Sequence, residues 1–146
     1  MLPNAKITEQ LALLATIDPS SASVGSVSTG WISASNHERF VAMVNTGALG
    51  SGATIDAKLQ QATDSSGSGA KDVASKAITQ ITANNKQALI DLRADELDAN
   101  GGFSYFRLTT TVGVAASLVS AAVLGGVARQ NPASALNQSA TGQIVQ

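Results

Sequence analysis

LTTTVGVAASLVSAAVLGGVA, residues 108–128, carries no charged side chain, and Arg107 and Arg129 flank it. The run is long enough to span a bilayer as a helix. Three consecutive threonines, two serines and Gly113, Gly125 and Gly126 argue against a span, since few Leu or Ile remain to supply transfer energy. From Tyr105 the residues alternate: Phe106, Leu108, Thr110 and Val112 share one side, and Tyr105, Arg107, Thr109 and Thr111 the other. A half-buried strand shows that period of two; a membrane helix has no reason to. The preferred reading is a hairpin of strands over 105–112 and 118–127, joined across Gly113-Val114-Ala115-Ala116. A C-terminal membrane span is the minor alternative.

Outward from this stretch the same period recurs. In IDAKLQQATDSSGSG, residues 55–69, Ile55, Ala57 and Leu59 alternate with Asp56, Lys58 and Gln60 until a Ser/Gly cluster stops the pattern. In ERFVAMVNT, residues 38–46, Phe40, Ala42 and Val44 face one way and Val41 and Met43 the other. Apolar residues on both faces predict a strand inside the sheet, covered on each side. Residues 87–95 set Ala88, Ile90, Leu92 and Ala94 against Asp91, Arg93 and Asp95, while SVGSVSTGWIS, residues 23–33, is a weak strand pair. KDVASKAITQIT, residues 71–82, reads either way: Ala74, Ala77, Ile78 and Ile81 sit at helical spacing, yet 77–82 also forms a short β run. Strand is preferred there and helix stays open. Clusters at 47–52, 64–69 and 98–102 mark turns. About eight short strands spaced roughly ten residues apart indicate an all-β fold, a β-sandwich or jelly roll of antiparallel strands.

The ends look different. Residues 1–21 read as an arm, with a short amphipathic helix suggested by Ile7, Leu11 and Leu14 and ended at Asp18-Pro19. Residues 22–128 form the sandwich, and 129–146 a polar tail that only Ile144-Val145 can anchor. The arm is expected to be dispensable for folding.

Composition narrows the function classes. The chain has 146 residues, enough for one domain; 44% are apolar but only 3% aromatic. So few large side chains suit closely packed layers of small and β-branched residues. A net charge of −1, with no run of Lys and Arg, argues against nucleic-acid binding. Without cysteine there is no disulfide framework, thiolate zinc site or Cys nucleophile, which fits synthesis in a reducing cytoplasm. The N-terminus does not read as a signal peptide, because Lys6 and Glu9 interrupt a very short apolar piece.

Reactive motifs are weak. His37 stands alone with Glu38 beside it and reads as a solvated residue at the start of a strand rather than a metal ligand. GALGSGATID does not match the dinucleotide fingerprint, and SGSGAKD lacks the end of a phosphate loop. No Gly-x-Ser-x-Gly elbow exists, and one histidine leaves little room for a triad. The acidic set Asp91, Asp95, Glu96 and Asp98 is the strongest enzyme or calcium candidate, but Arg93 among them favours mutual neutralisation on a solvated face. Asn137-Gln138-Ser139 matches a glycosylation acceptor too short to carry weight. The expectation is no enzyme, no cofactor and no metal.

Collectively the segments say more. Asp56–69 is followed by Asp72-Val73, then Asp91-Leu92-Arg93, the aromatic-x-Arg-Leu strand over 105–112 and Gly125-Gly126. This order, spanning roughly 53–132, resembles small structural proteins encoded in the head gene blocks of tailed bacteriophages. One departure is Gly69-Ala70-Lys71, where relatives often carry a tryptophan. The resemblance implies a capsid decoration, or cement, protein. Such a jelly roll binds the exterior of an icosahedral virion, is made in the host cytoplasm and staples neighbouring major capsid protein subunits. A homodimer is expected, without nucleic acid, membrane or small-molecule substrate as partner.

For that role the coreless ends nominate Ile7, Leu11, Leu14, Ile144 and Val145 as capsid contacts. Two alternatives stay open. One is a head–tail or tail component; the other is a carbohydrate- or receptor-binding sandwich using Trp31 and Tyr105.

Overall fold

A computed structural model describes residues 2–146. Alternation converts into strands throughout. After one helical turn at Ile7–Gln10 the chain forms β1 (Leu11–Ala22), β2 (Gly25–Ser28), β3 (Ile32–Ser33), β4 (His37–Thr46) and β5 (Thr54–Ala62). It continues through β6 (Lys71–Ala77), β7 (Gln87–Arg93), β8 (Tyr105–Gly113) and β9 (Ser117–Ala128). The first sheet has the order β1-β9-β4-β7; the second runs β2-β8-β5-β6, with β3 also on β8. Every ladder is antiparallel. Apart from the adjacent pairs β2/β3 and β5/β6, each strand enters the opposite sheet from the one before it. That winding is a jelly roll.

The two inner faces make one core. Ile55, Leu59, Leu92, Phe106 and Leu108 are fully buried, each contributing about 1.5–3 kcal/mol relative to exposure. Phe40 of β4 meets Phe106 of β8 edge-on, ring centroids 4.7 Å apart, so an aromatic pair joins the sheets. Ala42, Ala57 and Ala121 fill the spaces where a larger side chain would force the layers apart.

Several expectations are corrected. β8 and β9 do not form a hairpin: their link, with Val114 at φ 72, carries the chain from one sheet to the other. Both strands bury an alternate set, and crossing the sandwich lets both sets point inward. Residues 23–33 do not pair with each other; β2 and β3 both lie along β8. The helix expected from Ile7 through Leu14 stops after one turn, because pairing of Leu11–Ala22 with β9 satisfies more backbone than a short helix can.

Residues 11–22 are therefore sheet, not arm, and Ala12, Ala15 and Ile17 are buried. The tail is tied down as well: Ala133, in the turn Ala133–Leu136, is completely buried. His37 is 1 % exposed rather than solvated. It points inward at the start of β4 over Gly125, where a Cβ would lie 2.8 Å from the ring. Residues 71–82 give strand β6 and then a bridge between Ile55 and Ile81. Among the described residues no helix is long and apolar enough to cross a membrane.

Candidate functional site

The outward faces of the two sheets have opposite chemistry. On the first, register aligns Leu13, Leu124, Val41 and Asp91 in one row and Thr16, Ala122, Met43 and Leu89 in the next. Met43 is 40 % and Leu89 67 % exposed. β4 does lie inside its sheet, but its outer face is uncovered, contrary to the sequence reading. Leu13, Val41, Ala122 and Leu124 are half-buried, so the rows form an apolar band, exposed at Met43 and Leu89 and ended by Thr16 and Asp91, of a kind that marks contact surfaces. Arg39, Arg93 and Asp91 border it.

The chain ends converge beside this band. Ile7, Leu11, Leu13, Leu124, Ile144 and Val145 line an apolar groove of about 310 Å³. Four of the five nominated contact residues thus meet in one place. Leu14 does not: at the β1 bulge it turns inward, where its Cδ1 approaches Gly125. The tail is held by paired hydrogen bonds. Leu13 N–H donates to Asn137 Oδ1 at 2.7 Å, and Gln138 N–H donates to the Leu13 carbonyl at 2.7 Å. Val145 remains 80 % exposed and Ile7 56 %.

The second sheet's outer face is polar and internally satisfied. Gln60 Oε1 accepts from Arg107 Nε at 3.0 Å and Nη2 at 2.9 Å, and from Thr109 Oγ1 at 3.1 Å. Ser26 and Ser28 pair with Thr111 and Thr109 across the β2–β8 ladder, each at 2.8 Å. Trp31, nominated for a sugar, is already engaged: the Arg107 guanidinium lies 4.5 Å from its ring centroid, and Gly67 abuts the indole. Tyr105 is half-buried.

Of the acidic residues nominated from sequence, Asp95, Glu96 and Asp98 are paired with cations rather than gathered, and Asp91 stands exposed on β7. Arg93 donates to both oxygens of Asp95, and the Lys71 ammonium contacts Asp98 at 2.6 Å. These cations hold the Asp95 and Asp98 carboxyls below their ordinary range. Glu96 is lowered first by accepting from the Arg93 N–H, then by Lys76. Asp72 is lowered by the Lys58 ammonium and the Gln60 amide. Among the described residues no group of three or more His, Asp or Glu is placed to hold a metal ion. His37 is unusual in another way: among the described residues neither ring nitrogen finds a hydrogen-bond partner, and burial pushes its pKa down. It lies inside the sandwich, away from both outer faces, with Phe40 6.0 Å from its ring centroid.

Sequence reasoning missed the band itself. Leu89 sits in QALIDLR on the face carrying Asp91 and Arg93, and the apolar residues on both faces of 38–46 predict a covered Met43. The available signal was an apolar residue on the solvent side of each of two strands.

Comparison with protein-family models gives no match, and no curated protein matches in sequence. Solved structures of similar shape include the SPBc2 prophage-derived protein YomS, at 7% identity and TM-score 0.45 over 79% of this chain and 93% of that one. The Cowpea mosaic virus top component, from naturally occurring empty particles, aligns at 10% identity and TM-score 0.48 over 84% and 86%. The CBM22-2 xylan-binding domain of Paenibacillus barcinonensis Xyn10C aligns at 10% identity and TM-score 0.42 over 80% and 98%.

Proposed function

We propose that this chain is a structural virion protein that binds the outer surface of an icosahedral phage capsid and cements neighbouring major capsid subunits. The observation that carries the reading is the contrast between the faces. The second sheet's outer face satisfies its own polar groups, while the first presents Val41, Met43, Leu89 and Leu124 beside the apolar groove of the chain ends. The order of sequence segments, which resembles that of phage head proteins, supports the major capsid protein as the partner. Action is by adhesion, without catalysis, on the virion exterior after synthesis in the host cytoplasm.

In this reading the first-sheet face and the groove lie against the shell and the second-sheet face looks to solvent. Modest contacts suffice, because a repeated lattice multiplies each of them. Cryo-electron microscopy of particles from the encoding phage tests the proposal. Hundreds of copies seated on the shell by the first sheet are expected. A few copies at the portal vertex would make it a head–tail component, and absence from the particle would end the reading.

A further inference from the structure

The sandwich has four open edges, and three are obstructed. β1 is bulged between Leu13 and Ala15 and again between Ile17 and Ser20, and the tail bonds to Leu13. β2 and β3 are two short pieces separated by Thr29-Gly30-Trp31. β6 pairs irregularly and holds Ser75 at φ 61. β7 has none of these devices. It pairs with β4 over seven consecutive positions without a register shift and contains neither Gly nor Pro. A regular edge blunted only by the charges of Asp91 and Arg93 is a pairing template that soluble proteins otherwise obstruct.

The hydrogen-bond phase shows what this edge offers. Thr46 N–H donates to the Lys86 carbonyl on the β7 side, and Gly47 N–H to the Leu118 carbonyl on the β9 side. Alternation along the ladder then turns the main-chain groups of Ala88, Ile90 and Leu92 toward β4. Those of Gln87, Leu89 and Asp91 point outward, without a main-chain partner among the described residues. Arg93, next in phase, has its N–H taken by Glu96 Oε2 at 2.7 Å, which ends the free stretch.

We propose that two copies of this chain pair antiparallel through β7 across a two-fold axis at Leu89. Registers centred from Ala88 to Asp91 fit the phase, and the one on Ala88 pairs only Gln87 with Leu89 and forms about four main-chain hydrogen bonds. Centring on Asp91 opposes two carboxylates, and centring on Ile90 sets each Leu89 against a carboxylate; both are unfavourable cross-strand neighbours. Centring on Leu89 places it opposite Leu89 of the partner subunit, and Gln87 opposite Asp91 of the partner subunit. About six main-chain hydrogen bonds form. The row Thr16, Ala122, Met43, Leu89 then continues into its symmetry copy, so the apolar band doubles in length. The proposal goes beyond the cementing reading and does not depend on it, since the dimer forms in free solution.

Sedimentation equilibrium on the full chain is expected to give twice the 14.7 kDa protomer mass. A monomer at about 100 μM, already a weak regime for a specific pair, overturns the proposal. Leu89→Lys trades an apolar pair for a like-charge pair and is expected to weaken the dimer about 30-fold. Its unfolding midpoint should match the wild-type monomer's, since the side chain is mostly exposed. A dimer unaffected by this change overturns the β7 edge.

Leu89→Cys supplies a second measurement in a chain that has no other thiol. The two Cα atoms would lie about 5.5 Å apart in a hydrogen-bonded pair, within disulfide range. Mild oxidation should give a covalent dimer, whereas the control Val114→Cys, exposed on the β8–β9 link, should stay monomeric on denaturing gels. Equal cross-linking of both variants overturns the register.

Discussion

Leu13 and Asn137, 124 positions apart, are joined by a hydrogen bond from the Leu13 main-chain N–H to the Asn137 side-chain oxygen at 2.7 Å. With the neighbouring bond from Gln138 N–H to the Leu13 carbonyl, the tail occupies the β1 edge where the bulge breaks the strand. Removing the acceptor by Asn137→Ala should cost about 1 kcal/mol and free the tail. Amide exchange at Leu13 and proteolysis after Arg129 should both accelerate, with the rest of β1 unchanged. Unaltered exchange at Leu13 would show that the side chain is not what holds the tail.

The N-terminal segment divides at Leu11. Deleting residues 1–5 should leave a folded sandwich, since residues 2–5 lie outside the sheets. Deleting residues 1–16 removes half of β1 and strips the β9 edge from Gly126 to Ala122, including buried Ala12 and Ala15. Loss of the cooperative unfolding transition is expected for the longer deletion alone, measured by circular dichroism. A folded product would mean that β1 is dispensable.

His37 predicts a specific pH dependence. Its folded pKa lies below the ordinary 6.5 because the buried ring resists protonation. As pH falls through 6.5 the unfolded chain takes up more protons than the folded one, so stability is lost on the acid side. Above that value the ring is neutral in both states. The carboxylates act lower: Asp72 and Glu96 are depressed from 3.8 and 4.5, so their contribution is present above those values and lost as pH falls through the folded ones. Urea unfolding should therefore weaken in two stages, and His37→Phe should abolish the first alone. A wild-type profile flat between about pH 7 and pH 5 contradicts the assignment.

Phe106 bears on the core. It is fully buried and edge-on to Phe40, in a chain with only three phenylalanines. Phe106→Ala should cost about 3–5 kcal/mol, a large share of the total stability of a small domain. Val114→Ala, exposed on the opposite link, should cost almost nothing. Equal midpoints for the two variants would refute the location of the core.

Gly67 tests the packing of Trp31. It has φ +86, and a Cβ there would lie 2.5 Å from the indole Nε1. Gly67→Ala should cost about 1–3 kcal/mol from backbone strain and shift the fluorescence of this single tryptophan. An unchanged spectrum would place the loop away from the ring.

The sequence by itself determined that the chain is all-β, because a period of two is a local property: Phe106, Leu108, Thr110 and Val112 are buried as their spacing requires. It also determined the turns, since Ser/Gly clusters act through their own backbone. Only the tertiary structure decided which strands pair, and so which chain ends belong to the sheet. Leu11–Ala22 becomes a strand because β9 offers it a ladder, a partner more than 90 positions away that no local window contains. The tertiary structure likewise buried His37 over a glycine and left Met43 and Leu89 in solvent. Alternation fixes which residues share a face, and only the packing of one sheet on the other decides which face is wet.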